Sequence, residues 1–153
     1  MIIRKATLLD ISAIIFLLHK MHEETKIETP KINSVKLINK INVLLHDGLV
    51  LVAVDDNKVV GSIAGQISQD WWTDETHLAD AWYYVMKNSR KSLAGKKLID
   101  EFIKLAKKAK LKLRLGHIFS GDIERKEQVL YIWRLKWVAY VPQQLNNYLQ
   151  VQR

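Results

Sequence analysis

The chain contains no cysteine, which excludes disulfides, thiolate nucleophiles and cysteine-ligated metal sites and is compatible with a reducing compartment. No apolar run approaches the ~18 residues that a membrane-spanning helix needs. The opening MIIRKATLLD is charged early and lacks a cleavable signal pattern. The expectation is a soluble, cytoplasmic protein with no membrane partner. Internal repeats, low-complexity tracts and the P-loop nucleotide motif are missing from the sequence as well. The histidines His19, His22, His46, His77 and His117 form no recognisable ligand set. His19 and His22 share a helix at i, i+3 without an evident third ligand, so no metal is expected. At 153 residues the chain fits one domain, 1–153, long enough to bury a continuous core.

Acidic residues are scarce in one stretch. Lys87 to Arg114 holds 11 of the 24 lysines and arginines but only 2 of the 16 aspartates and glutamates, a charge of +9 that exceeds the +8 of the whole chain and leaves the rest at −1. Such an excess suits a polyanionic partner. Nucleic acid is one candidate, although no recognised nucleic-acid module is visible, and a phosphorylated cofactor is another. The outer lysines Lys104, Lys107, Lys108 and Lys112 also read as a solvated helix face.

Periodicity orders the chain as an alternation of strands and helices. Ile2 to Lys5 reads as a strand, and Thr7-Leu8-Leu9-Asp10 as a T-x-x-D helix start before Ile11, Ile14, Ile15, Leu18 and Met21 at helical spacing. A polar loop from Glu23 to Asn33 precedes a second amphipathic helix, Ser34 to His46, closed by Gly48. Leu49 to Val54 and Val59 to Ser68 flank the turn Asp55-Asp56-Asn57-Lys58 and predict a β-hairpin. The polar loop after it, Ser68 to Thr76, carries Trp71 and Trp72 beside Asp70, Asp74 and Glu75. Those rings and charges could meet an amine, or could fold onto the surface.

Leu78 to Met86 reads as a buried strand through Trp82, Tyr83, Tyr84 and Val85, and from Leu98 to Ala109 the apolar residues follow one face of a helix. Between them lie Lys87, Arg90, Lys91, Ser92, Ala94 and Gly95. Cations, small residues and the N–H groups of a helix start are together what a phosphate needs; an ordinary strand-to-helix connection with a basic face is the equally weighted alternative. Leu111 to Ile118 alternates as a fifth strand, parallel to the one before the helix. Asp122 to Leu135 reads as a last helix, with Val138 to Val141 and Tyr148 to Val151 as closing strands.

At the central loop the chain resembles the GNAT superfamily of acyl-CoA-dependent N-acetyltransferases. The family's signature V-x-x-x-x-[RQ]-x-x-G-x-[GA] is matched by Val85, Arg90 and Gly95, while Leu93 stands at the first glycine position. The IRKAT-x-x-D opening and Val59-Val60-Gly61 at the start of the second hairpin strand are similar to family features too. The resemblance implies an α/β (α+β) fold: a mixed, mostly antiparallel sheet with parallel, splayed fourth and fifth strands and helices on both faces. It implies acetyl-CoA as donor and an amine as acceptor. The pantetheine arm would lie along the backbone near Val85 and Lys87, and the pyrophosphate would lie against Arg90, Lys91, Ser92, Leu93, Ala94, Gly95 and Lys96. Leu93 is expected to turn inward and join the apolar face of the following helix.

Some GNAT enzymes place a glutamate six residues before the position of Val85 as general base; that position is Ala79 here. His77, which shares a strand face with Ala79, becomes the first candidate base and Asp80 the second. Tyr131, in a Leu130-Tyr131 pair similar to the family's L-Y-x-x-x-G-F motif, is the implied acid, although Leu135-Lys136 stands where Gly-Phe is usual. These departures resemble those of single-domain members encoded by tailed bacteriophages. A catalytically inactive structural or interaction protein, as a homo-oligomer or in a virion, is therefore the second reading.

Overall fold

The computed structural model describes residues 1–25 and 30–115. A sheet of five strands, in the order β1 (Ile2–Lys5), β2 (Gly48–Asp55), β3 (Lys58–Gln69), β4 (Thr76–Val85) and β5 (Lys112–Arg114), separates two helical layers. The first four strands pair antiparallel in sequence order and β5 adds parallel to β4, as the strand-helix-strand crossover predicts. Helices α1 (Ile11–Glu23) and α2 (Ser34–Asp47) cover one face and α3 (Ala94–Lys108) the other. The expected strands from Val138 and Tyr148 and the helix from Asp122 lie outside the described residues.

β2 is buried on both faces because its residues are apolar at successive positions. Val50 and Val52 join Ile14, Leu18, Ile41, Leu44, Ala64 and Trp82 under α1 and α2. Within that core the Trp82 Nε1–H donates to Ser62 Oγ (3.1 Å), whose hydroxyl donates to the Leu51 carbonyl (3.0 Å), so a buried indole and a buried serine satisfy each other. On the opposite face α3 lies close to the sheet over Gly65. A Cβ at Gly65 would stand 2.6 Å from the Phe102 ring and 3.0 Å from Leu78, so any larger residue would push the helix away.

The hairpin turn is tight because Asp56 and Asn57 both adopt positive φ (45° and 60°), with Asp55 opposite Lys58. The T-x-x-D start takes the expected form. The Thr7 N–H donates to Asp10 Oδ2 at 2.8 Å, and the Arg4 guanidinium forms a two-pronged pair with the same carboxylate at 2.7 and 2.8 Å. That pair fastens β1 to the base of α1.

β4 carries an irregularity that simple alternation does not anticipate. Asp80 pairs with Gly65 but Trp82 pairs with Ala64, leaving Ala81 as an extra residue. Downstream of it the side-chain parity flips. Leu78, Tyr83 and Val85 face α3, and Trp82 packs under α1 and α2. The β4–β5 pairing spans His77 to Ala79 against Lys112 to Arg114. The β3–β4 connection is tied to β5 by Lys112 Nζ to Glu75 Oε2 (2.5 Å) and by the Arg114 guanidinium to Asp70. Asp70 Oδ2 is buried and faces Arg114 without hydrogen-bond alignment. Among the described residues no helix is long and apolar enough to cross a membrane, and no group of His, Cys, Asp and Glu could hold a metal ion.

Candidate active site

The segment joining β4 to α3 is a stack of tight turns. Lys87–Ser89 forms a 3-10 turn in which the Ser89 N–H donates to Met86 O (2.8 Å), and the Ser92 N–H then donates to Ser89 O (3.1 Å). Ser92 Oγ donates to the same carbonyl (2.7 Å) and accepts from the Ala94 N–H (3.2 Å). α3 begins at Ala94, earlier than the apolar period predicts; its N-cap residue Leu93 supplies no side-chain cap, and the Ala94 N–H is taken by Ser92 Oγ. Lys87, Lys91, Ser92, Lys96 and Lys97 are exposed around this start, and Ala94 is buried beneath it. The first turn of a helix ringed by cations favours an anion.

Leu93 departs from expectation. Its side chain does not turn inward; it is 61% exposed at the N-cap of α3. The backbone there has φ −78°, a conformation any residue adopts, so no glycine is required for strain. The apolar face of α3 is already filled by Leu98, Ile99, Phe102 and Ala106, which leaves Leu93, on the preceding turn, pointing to solvent.

Gly95 is needed for another reason, close approach. A Cβ at this position would lie 2.6 Å from the Tyr83 hydroxyl oxygen, on the β4 side chain that the parity flip turns toward α3. Gly95→Ala should therefore shift α3 or Tyr83 and destabilise the fold by about 1 to 3 kcal/mol. In thermal unfolding, Tyr83→Phe combined with Gly95→Ala should recover a large part of that loss; an additive double variant would contradict the contact.

Arg90 is bonded inward. Its Nε–H donates to the Val85 carbonyl (2.9 Å), its Nη2 donates to Glu24 Oε2, and its guanidinium lies 5.4 Å from the centre of the Tyr84 ring. Tyr84 completes the cluster by donating its hydroxyl to Glu24 Oε1 at 2.7 Å. Burial, reinforced by the bond to Glu24, pushes the Tyr84 phenol well above its ordinary value, so it stays protonated and donating. Burial pushes Glu24 up, but the bonds from Tyr84 and Arg90 and the charges of Arg90 and Lys87 outweigh it, and the carboxyl is held below its ordinary value. Glu24, at the C-cap of α1, is the site residue that the sequence reading missed. It falls in a polar stretch, and its partners are 60 and 66 residues away.

The remaining candidates lie elsewhere on the strand. Val85 ends β4, its carbonyl accepting from Arg90, and the following Met86 N–H donates to Val60 O (2.9 Å). His77 is buried (7% exposed) near the other end of β4, roughly 25 Å from Val85 at the usual rise per strand residue. Asp80 is half-buried beside the extra residue, opposite Gly65. The structure therefore groups Val85, Lys87 and Arg90 to Lys96 around one turn and sets His77 and Asp80 apart from it. Tyr131 lies outside the described residues. Trp71 and Trp72 stand on the β3–β4 connection with edge-to-face rings 5.3 Å apart and are mostly exposed.

The sheet is thus antiparallel until it turns parallel across the β4–α3–β5 crossover, with a basic, tightly turned loop at the start of α3. The sequence profile of the acetyltransferase (GNAT) family matches residues 15–123, and the chain belongs to that family. No curated protein matches it. Among solved structures, a possible acetyltransferase from Clostridium difficile 630 aligns with TM-score 0.69 at 21% identity, covering 86% of this chain and 88% of its own. Ribosomal-protein-alanine N-acetyltransferase from Brucella melitensis biovar Abortus 2308 gives TM-score 0.62 at 22% identity over 84% and 91% of the two chains. An aminoglycoside acetyltransferase from an uncultured soil metagenomic sample gives 0.63 at 18% identity over 85% and 84%. At these identities the likeness is one of fold.

Proposed function

We propose that residues 1–153 form one N-acetyltransferase domain that moves an acetyl group from acetyl-CoA to an amine. The observation that carries this reading is the start of α3, whose N-cap residue supplies no side-chain cap, with its surrounding lysines, in a chain of the GNAT family. These groups fit a pyrophosphate by charge and by their N–H donors. The backbone from Ser92 to Lys96 and the ammonium groups of Lys91 and Lys96 would hold it, Arg90 would keep the loop in shape, and the end of β4 at Val85 and Lys87 would line the pantetheine arm. Bound acetyl-CoA supplies the thioester. His77, or Asp80 in its place, would accept the proton of the acceptor amine through water, and the Tyr131 hydroxyl would return a proton to the sulfur as the C–S bond breaks. The ribosomal-protein alanine and the aminoglycosides named for two of the similar structures are amine acceptors, which supports an amine here.

The exposed Leu93 favours one other reading, a domain that keeps the fold without the reaction. An assay of coenzyme A thiol release against a panel of amines separates the two. Amine-dependent release is expected, and Tyr131→Phe should lower turnover about 100-fold while acetyl-CoA affinity holds. Binding of acetyl-CoA with no release for any amine would favour the inactive domain, and full-rate release by the tyrosine variant would remove Tyr131 from the mechanism.

A further inference from the structure

We propose that Glu24 is a positioning residue, acting through Arg90 to set the shape of the phosphate loop; this rests on the acetyl-CoA reading above. The bonds within the loop, Ser89 to Met86, Arg90 to Lys87, Ser92 to Ser89 and Ala94 to Ser92, span two or three residues each. Such turns fix local geometry but do not fix where the loop sits on the domain. Glu24 supplies that. Its two carboxylate oxygens engage Arg90 and Tyr84 separately, and Tyr84 is anchored in β4 with 6% exposure. Arg90 is thereby held on three sides, by the Glu24 carboxylate, the Val85 carbonyl and the Tyr84 ring. The end of α1 and the start of α3 become one unit across the edge of β4.

The side chains of Arg90 and Glu24 are 19% and 27% exposed, so water screens the pair little and the guanidinium has a definite orientation. An uncompensated carboxylate this close to a polyanion would repel it. Paired with Arg90, the carboxylate is neutralised locally and contributes geometry, while attraction for the phosphates falls to Lys91, Lys96, Lys97 and the first-turn N–H groups. Glu24 is therefore required for productive phosphate binding although it is itself an anion.

The test compares the wild type with Glu24→Gln, each shown folded by thermal unfolding, in calorimetric titrations with acetyl-CoA and in kinetics with S-acetylpantetheine, a thioester donor lacking the pyrophosphate. Glu24→Gln should bind acetyl-CoA roughly tenfold more weakly, the scale of one charge-assisted hydrogen bond, and lower kcat/KM for S-acetylpantetheine far less than kcat/KM for acetyl-CoA. Added to Arg90→Ala, which leaves the Glu24 carboxylate without its charged partner, it should remove the repulsion and recover part of the lost affinity. Should Glu24→Gln not fold, Glu24→Ala, which puts no amide donor opposite Arg90, takes its place with the same expectation. Unchanged affinity in the folded variant, tighter binding, or an equal loss with both donors would each overturn the inference while leaving the acetyl-CoA reading intact. A wild type that binds no acetyl-CoA would overturn both.

Discussion

Replacing Arg90 by alanine is expected to weaken acetyl-CoA binding by about 1 to 3 kcal/mol, the scale of a charged group losing its hydrogen bonds. The substitution removes the donor to Val85 O and the partner of Glu24 together. The half-buried carboxylate then faces the phosphate loop without compensation, so the loss combines a misplaced loop with a repulsive charge. Arg90→Lys should recover little of it, because a lysine keeps the charge but cannot reach the strand carbonyl and the carboxylate with one planar group. Calorimetric titration of both variants checks this; wild-type affinity in folded Arg90→Ala would show that the loop neither uses nor needs the guanidinium.

The second large effect is on stability. Asp10 is 5% exposed and accepts two bonds from Arg4 and two from Thr7, and the Arg4 bond is the main cause of a carboxyl pKa lowered from 3.8 to about 2. A group whose folded pKa lies below its unfolded value stabilises the fold above the unfolded pKa and loses that contribution as pH falls through the folded one. Asp10 should thus contribute about 2 kcal/mol at neutral pH, fading between about pH 4 and pH 2. Asp10→Asn should lower the unfolding free energy by that amount at pH 7, and the difference from wild type should shrink across that window. A difference independent of pH would show that shape, not charge, is what Asp10 supplies.

The sequence carried the sheet and helix order through hydrophobic period. Ile14 and Leu18 on α1, Ile41 and Leu44 on α2, and the two-faced apolar run of β2 are signals local to each element and are buried where the period places them, although Val35 and Ile38 of the same α2 period are exposed and Leu17, outside the α1 period, is buried. What escaped depends on partners distant in sequence. The start of α3 lies at Ala94 because Ala94 and Gly95 fit against the end of β4, whereas the apolar period begins at Leu98. The extra residue at Ala81 is a property of the β3–β4 register. The phosphate loop was legible because its residues are contiguous. The contribution of Glu24 was not, because the contact joins α1 to a loop more than sixty residues later, and no spacing within either segment announces it. The direction of Leu93 escaped for a related reason, since the space it was expected to fill is taken by the residues of α3.

The central claim, a working acetyl-CoA site at the start of α3, is tested most directly by calorimetric titration of the wild-type protein with acetyl-CoA. The account predicts saturable binding with one site per chain, weakened by rising salt because lysines meet phosphates. No heat of binding in the wild type, together with binding restored by Leu93→Gly, would show the site to be blocked and would contradict the enzyme reading.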